Sequence, residues 1–135
     1  MKKVHLLTLI ALIIFSLSGC EKAKVTNVAL ADAFVKAIKN AQGVTVYTAI
    51  HSVFSYNVMK SVSVTSPGGT TIQLTNFDNG GNSFFNEPVL TDYSATGPDA
   101  GVYTYLVKFN DGEEITLTFP LVALALNNAL TEPEF

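Results

Sequence analysis

The chain has 135 residues, which is the length of a single domain, and carries eight lysines against eleven acidic residues for a net charge of −3. It contains no arginine, the residue on which bidentate phosphate recognition depends, so nucleic acid is not expected as a partner. Its single cysteine excludes an intrachain disulfide.

Residues 1–19 have the order of a secretory signal peptide. Lys2 and Lys3 give a positive start, and an apolar stretch from Leu6 to Leu17 follows that is too short to span a bilayer. Small residues then lead to Cys20 in the tetrapeptide LSGC. The order of charge, apolar stretch and small residues predicts export.

The tetrapeptide LSGC resembles the lipobox of bacterial lipoproteins. The resemblance implies cleavage after Gly19, lipidation of Cys20, and attachment to a membrane through more than one acyl chain, since one chain anchors a protein only weakly. It therefore implies a location in the cell envelope, and Glu21 in place of an aspartate favours the outer membrane, on its periplasmic face or at the cell surface. An ordinary signal peptide with a chance cysteine is the alternative. Loss of Lys2 and Lys3 would leave six lysines against eleven acidic residues, a mild acidity that suits a domain held off an anionic membrane surface.

Residues 20–42 are predicted to form the lipidated tether and a short amphipathic helix. Within VALADAFVKAIKNA, residues 28–41, apolar side chains recur at every fourth position, which is typical of one helix face. These side chains are Leu30, Phe34 and Ile38. Asn27 is a candidate cap for the start of the helix. We expect the apolar stripe to pack on the following domain, with contact to the membrane surface as the alternative.

Residues 43–120 change to a period of two, which predicts about seven short antiparallel strands separated by turns. The first two predicted strands are Val44–Phe54 and Val58–Ser66. A short segment at Phe84 and Phe85 is assigned to a sheet edge because Pro88 follows it. A further strand is predicted at residues 90–95. This spacing favours an all-β sandwich, with residues 121–135 as a C-terminal tail.

The clearest local signal is a hairpin between residues 99 and 119. Tyr103, Tyr105 and Val107 alternate before the turn, and further apolar residues alternate after Asp111-Gly112. An Asp-Gly pair between two such runs is typical of a type I′ turn.

The start of this hairpin, Asp99-Ala100-Gly101-Val102-Tyr103, resembles the D-x-G-x-Y signature of immunoglobulin-like domains. The resemblance implies an antiparallel immunoglobulin-like sandwich in which Asp99, Gly101 and Tyr103 form a structural corner, with the tyrosine hydroxyl bonded to upstream backbone. Small lipoprotein domains share a similar strand. The chain departs from antibody domains because Tyr105 stands at the second cysteine position and there is no tryptophan.

Catalytic and metal-binding chemistry has little support in the sequence. His51 is the only histidine after the signal peptide, and no G-x-S-x-G motif is present. Zinc and copper sites need more histidine or cysteine ligands than the chain offers. The loop NFDNGGN at residues 76–82 could offer oxygen ligands to calcium but lacks a distal glutamate, so a plain turn is favoured. We expect neither an enzyme nor a cofactor.

Binding is better supported. Phe77, Phe84 and Phe85 are candidate ligand contacts, because exposed aromatic rings stack on sugars or anchor proteins. Three loops are further candidates, at residues 67–70, 76–82 and 96–100. The sequence therefore predicts a lipid-anchored, non-enzymatic binding or adhesion module for a glycan or an envelope protein. A structural spacer or assembly subunit of a surface complex is the alternative.

Overall fold

A computed structural model describes residues 26–86 and 88–122, which form two open antiparallel four-stranded sheets packed as a sandwich. The predicted signal peptide, Cys20 and the C-terminal tail beyond Val122 lie outside the described residues. The prediction of an all-β sandwich is confirmed.

Eight strands build the two sheets. They are β1 (Ala29–Lys39), β2 (Thr45–Ser55), β3 (Met59–Thr65), β4 (Thr71–Gln73), β5 (Thr75–Asn76), β6 (Ser83–Asn86), β7 (Gly101–Phe109) and β8 (Glu114–Leu121). The first sheet has the order β1-β2-β6-β5, and the second has the order β4-β3-β7-β8. The chain changes sheets between β4 and β5, at Leu74, whose side chain is buried.

The predicted helix at residues 28–41 is wrong, because this segment forms strand β1 and pairs with β2 along its whole length. A spacing of four residues is one helical repeat and also two strand repeats, so it fits both structures. The side chains that face the core show the period of a strand. Ala29 and Ala33 alternate with the large side chains and are buried against the second sheet.

Two further assignments need correction. Strand β6, with Phe84 and Phe85, lies inside the first sheet between β2 and β5 rather than at its edge. It ends at Asn86, before Pro88, so the proline removes no hydrogen bond from the ladder. The strand expected at residues 90–95 is a 3₁₀ turn at Leu90–Asp92, followed by a single bridge from Ser94 to Tyr47.

The β7–β8 hairpin forms as predicted, but its turn is of another type. The Phe109 N–H donates to the Glu113 carbonyl oxygen, and the Gly112 N–H donates to that of Phe109. Gly112 has φ of +90°, whereas Asp111 stays in the negative-φ region. This is a three-residue loop in which glycine supplies the one left-handed position. The Asp111 carboxylate accepts the Glu113 N–H at 3.0 Å.

The core lies between the sheets and is centred on the inward side chains of β3 and β7. Its most buried members are Val53, Val62, Val64, Tyr105, Val107 and Phe109. These positions alternate along their strands, as a half-buried sheet requires.

Asn27 holds the start of β1 against the hairpin tip of the second sheet. Its Nδ2 donates to a carboxylate oxygen of Asp111 at 2.8 Å and to one of Glu113 at 2.9 Å. Its Oδ1 accepts from the Asn57 side chain at 2.6 Å. Asn27 therefore joins three segments of the sandwich and caps no helix.

Candidate functional site

The outer face of the first sheet carries a row of mostly apolar side chains. In the strand register Leu30 of β1 lies opposite Phe54 of β2, and Phe54 lies opposite Ser83 of β6. The Phe77 N–H donates to the Ser83 carbonyl oxygen at 2.9 Å, which extends the row past β5. The row therefore crosses the full width of the sheet, and three of its four side chains are apolar.

These side chains are exposed to solvent. Leu30 is 69% exposed, Phe54 is 43% exposed and Phe77 is 73% exposed. Tyr56, which is 89% exposed, packs its ring edge against Phe54 with centroids 5.2 Å apart. We call the set Leu30, Phe34, Phe54, Tyr56 and Phe77 the aromatic face. Asp32 lies between Leu30 and Phe34 on the same side of β1, and Ser83 lies within the row. Large exposed apolar side chains gathered on one sheet face are typical of an interaction surface.

The three phenylalanines predicted as ligand contacts have different environments. Phe77 belongs to the aromatic face, and half-buried Phe85, on the same outward side of the sheet, makes an edge contact with its ring, with centroids 6.2 Å apart. Phe84 points to the opposite side of β6 and is buried in the core. Phe84 is therefore unavailable to a ligand, because neighbours in a strand face opposite sides of the sheet.

The outer face of the second sheet carries a row of polar side chains, beside which Val102 is also exposed. Thr71, Thr65, Thr104 and Thr118 form one row across β4, β3, β7 and β8. The Thr65 and Thr71 hydroxyls are 2.8 Å apart, within hydrogen-bonding distance. Lys108 and Glu114 form an exposed ion pair at 2.6 Å on the same face. We call the four threonines the hydroxyl face.

Two of the three candidate loops meet at the end of the sandwich that carries the β3–β4 turn. A Cβ added at Gly68 would lie 2.9 Å from Asp99, and one at Gly101 would lie 2.9 Å from Pro67, so the loops touch. The third loop, residues 76–82, lies at the other end, where its Gly81 carbonyl oxygen accepts the Met59 N–H.

A cavity of about 470 Å³ opens between the sheets beside the two joined loops. Side chains from both sheets line it, with His51 and Asn86 from the first and Val64 and Tyr103 from the second. Residues of the loop at 88–100, among them Asp92 and Asp99, also line it. Asn86 carries the only buried side-chain nitrogen or oxygen atom of the described residues that lacks a hydrogen-bond partner, its Oδ1.

His51 is a core histidine at the base of this cavity. Its Nδ1 lies 2.8 Å from the Tyr105 hydroxyl, which also donates a longer bond of 3.4 Å to the Asp32 carbonyl oxygen. The ring packs against Tyr103 with centroids 4.9 Å apart. Burial lowers the pKa of His51 to about 4, because desolvation disfavours the charged ring. His51 is therefore neutral at pH 7 and joins the sheets by a neutral contact.

The tyrosines beside His51 are held in their neutral forms. Burial, with a smaller contribution from the nearby Asp99 charge, raises the pKa of Tyr103. Burial is also the main cause that raises the pKa of Tyr105. The Tyr103 hydroxyl donates to the Asp99 carbonyl oxygen at 2.9 Å, which fixes the chain where it enters β7.

Between residues 26 and 122, leaving out Glu87, no three His, Cys, Asp or Glu side chains gather where they could hold a metal ion. Over the same residues no helix has the length and apolar character needed to cross a membrane. His51 has no serine or carboxylate among its hydrogen-bond and ring contacts.

Searches of protein-family models, of curated proteins and of solved structures find no match to this chain. Its function is therefore argued from its own surfaces.

Sequence reasoning missed most of the aromatic face. Leu30 and Phe34 were assigned to a helix, and Tyr56 stands in a turn where aromatic residues carry no periodic signal. Reading β1 as a strand would have shown that its large side chains share one side and its alanines the other.

Proposed function

We propose that this chain is a lipid-anchored protein of the bacterial cell envelope that binds a protein partner through its aromatic face and catalyses no reaction. The observation that carries the proposal is the exposed row formed by Leu30, Phe54 and Phe77. Exposing apolar area costs about 25 cal/mol per Å² relative to burying it. A partner that covers the row would recover this free energy.

A protein partner fits this surface better than a glycan. Sugar sites combine an aromatic platform with several polar groups that fix the hydroxyls, as small-molecule sites generally do. The aromatic face instead extends across a whole sheet, and its central row contains one hydroxyl, that of Ser83. Broad surfaces with aromatic anchors are typical of protein interfaces.

The fold belongs, in this proposal, to the immunoglobulin-like sandwiches. Naming β1 to β8 as A, B, C, C′, D, E, F and G turns the two observed orders into A-B-E-D and C′-C-F-G, which is the immunoglobulin arrangement. Support also comes from Tyr103 near the start of strand F, with its hydroxyl bonded back to Asp99.

The anchor in this proposal is Cys20. Six residues separate Cys20 from Asn27, and an extended chain covers at most about 3.6 Å per residue. The domain would then remain within roughly 25 Å of the lipid. Asn27 lies two residues before the start of the strand that carries Leu30, so a partner in the same membrane could reach the aromatic face.

Metabolic labelling with palmitate tests the anchor. The wild-type chain is expected to incorporate the label and to sediment with membranes, whereas Cys20→Ala should do neither. Unlabelled wild-type protein, or a Cys20→Ala variant that stays with the membrane, would remove the anchor from the proposal.

Native electrophoresis of envelopes solubilised in mild detergent tests the partner. The wild-type chain is expected to migrate in a discrete complex that the double variant Leu30→Ser, Tyr56→Ser no longer forms. Thr104→Ala with Thr118→Ala, on the hydroxyl face, is the matched control and should leave the complex intact. Free migration of the wild-type chain would instead favour the role of a spacer.

A further inference from the structure

Strand β1 is a long free edge of the first sheet. It has 11 residues, all of which pair with β2 in one continuous register, and no other described strand pairs with its opposite side. An edge strand offers unpaired N–H and C=O groups to another chain, so natural proteins usually shorten, bend or block such edges. An edge left regular over this length suits pairing with a further strand.

The other three sheet edges are short or blocked. β4 and β5 contain 3 and 2 residues. β8 is longer, but it contains Pro120. The Phe109 N–H donates to the carbonyl oxygen of Glu113 opposite it, so the odd-numbered residues of β8 bond to β7, and Pro120 turns a nitrogen without hydrogen to the free edge. Among the described strands, β1 is therefore the one long edge without a proline or a bulge.

The groups that β1 directs to its free edge follow from the β1–β2 ladder. The Asn40 N–H donates to the carbonyl oxygen of Val44, which lies opposite it. Alternation then turns the main-chain groups of the even-numbered residues towards β2 and those of the odd-numbered residues to the free edge. The Ala33 N–H is one of these, and it donates to the carboxylate of its neighbour Asp32 at 2.8 Å. The full set is Ala29, Ala31, Ala33, Val35, Ala37 and Lys39.

The outward side chains of β1 form a palindromic pattern. An apolar residue lies at each end and in the middle, and two opposite charges separate them, in the order Leu30, Asp32, Phe34, Lys36 and Ile38. A second copy that pairs antiparallel about a two-fold axis at Phe34 places Leu30 opposite Ile38. Asp32 then lies opposite Lys36, and the two Phe34 rings meet at the axis. Opposite charges and apolar pairs in these positions stabilise a strand pair, and the axis repeats each of them.

No neighbouring register matches as well. An axis at Ala33 or Val35 would set both charges opposite apolar side chains. An axis at Asp32 or Lys36 would bring two like charges together, which destabilises a strand pair. A parallel pairing in register would do the same. The charges therefore block the competing registers rather than the edge as a whole.

Asp32 and Lys36 are available for this contact. Both side chains are exposed, and the described residues form no ion pair that involves either of them. Within one chain they are four positions apart along a strand, about 13 Å, which is too far for an ion pair. Their attraction can therefore act only between two chains.

We propose that two copies of this chain pair through β1 about a two-fold axis at Phe34 and join their four-stranded first sheets into one sheet. The Ala33 N–H then donates to the carbonyl oxygen of Val35 in the second copy, and the Asp32 carboxylate turns to Lys36 of that copy. The pairing uses main-chain groups in the plane of the sheet, so the outward surface of the aromatic face stays open. The dimer is compatible with a partner on that face and does not depend on it.

Sedimentation equilibrium of the full chain in a density-matched detergent measures the mass of the protein alone and tests the dimer. The wild type is expected at the mass of two chains. Asp32→Lys and Lys36→Asp should each raise the dissociation constant about tenfold or more, because each sets like charges opposite one another at two symmetric positions. Lys60→Asp, the same change of charge at an exposed position of β3, is the control for Lys36→Asp and should remain a dimer.

Two rescues separate a contact between chains from a defect in folding. The double variant Asp32→Lys, Lys36→Asp restores opposite charges in the same register and should dimerise as the wild type does. An equal mixture of the two single variants should form dimers with one chain of each kind, because one chain presents two positive charges and the other two negative ones.

Cysteine substitution tests the register. Phe34→Cys should form a disulfide-linked dimer on mild oxidation, because opposite residues of a non-hydrogen-bonded pair have Cα atoms about 4.5 Å apart. Asp32→Cys should not link to itself, since the two copies of position 32 would be about 13 Å apart. Any link through Cys20 would appear equally in both variants.

Three results would overturn the proposal. They are a wild type with the mass of one chain, charge rescues that both stay monomeric, and equal linkage of the two cysteine variants. Dimerisation that survives both single charge reversals, or is lost in Lys60→Asp, would overturn it as well. The purified chain contains no other protein, so each of these results would leave the proposed contact of the aromatic face untouched.

Discussion

Across the first sheet the outward row reads Leu30, Phe54, Ser83 and Phe77, whereas across the second sheet one reads Thr71, Thr65, Thr104 and Thr118. Both rows lie on four-stranded antiparallel sheets of one sandwich. Threonine and aromatic residues both have high strand propensity, so strand formation alone accounts for neither choice.

The two faces differ in the contacts and the solvent exposure of their side chains. The hydroxyl face is polar and forms a hydrogen bond within itself, between Thr65 and Thr71. The aromatic face is held by ring contacts such as Phe54–Tyr56, yet leaves most of its apolar area in water. The proposed contact with a protein partner would cover this apolar area.

The largest expected effect concerns Asn27, which holds the first strand of the aromatic face to the second sheet. Asn27→Ala should lower the free energy of unfolding by about 2–3 kcal/mol, because it removes hydrogen bonds to two carboxylates, which are stronger than neutral ones. Chemical denaturation measures the change. Asn76→Ala, at an exposed position, is the control. If Asn27→Ala lowers stability by no more than Asn76→Ala does, the hairpin tip does not hold β1.

The second-largest effect is expected at His51 in the core, where the free energy of unfolding should depend on pH. The unfolded chain protonates His51 near its ordinary pKa of 6.5, whereas the folded protein protonates it only near pH 4. The unfolded state therefore binds more protons between these values, so stability is full above pH 6.5 and falls as the pH drops towards 4. The loss should be about 1–3 kcal/mol.

Denaturation of the wild type and of His51→Gln at several pH values isolates this contribution, since carboxylates titrate in both proteins. The wild type should lose more stability than the variant between pH 6.5 and 4. Parallel curves would mean that His51 titrates normally and that the sheets are open to water at this point.

A smaller effect is expected at Tyr103, where the chain enters the second sheet. Tyr103→Phe should lower stability by about 1 kcal/mol, the scale of the one hydrogen bond to the Asp99 carbonyl oxygen. Thermal melting followed by circular dichroism measures it. An unchanged melting curve would count against a structural role for this hydroxyl.

The smallest effect is expected on the aromatic face itself. Tyr56→Ser should change the free energy of unfolding by less than about 0.5 kcal/mol, because its edge contact with Phe54 lies at the solvent-exposed surface, where substitutions rarely exceed this. The ring is 89% exposed. Chemical denaturation in parallel with Thr104→Ala provides the comparison, and a loss above about 1 kcal/mol would make Tyr56 part of the fold rather than of a contact surface.

Much of the sandwich could be predicted from local pattern. The period of two located β2, β3 and the β7–β8 hairpin, most clearly where inward apolar side chains recur at every second position, as at Val62 and Val64 or at Tyr105 and Val107. Strand β1 was missed because its inward positions are mostly alanine, so only its outward side chains were conspicuous. The central position of β6 was missed because the sequence of a four-residue segment does not show which distant strands it pairs with.

The candidate sites were less accessible to prediction. Phe77 was identified by residue type, but Phe84 and Phe85 could be separated only once the phase of β6 was known. The cavity joins residues from both sheets and the intervening loops, and these residues match no motif. Such a site follows from strand order and strand length, which are properties of the whole fold.

Site-specific photocrosslinking in intact envelopes tests the central claim most directly. A photoreactive phenylalanine analogue replaces Tyr56 on the aromatic face or Thr104 on the hydroxyl face, in otherwise identical chains. The account predicts an adduct of one discrete mass from position 56 and none from position 104. Equal crosslinking at the two positions, or none at either, would contradict the claim that the aromatic face is covered by a protein partner.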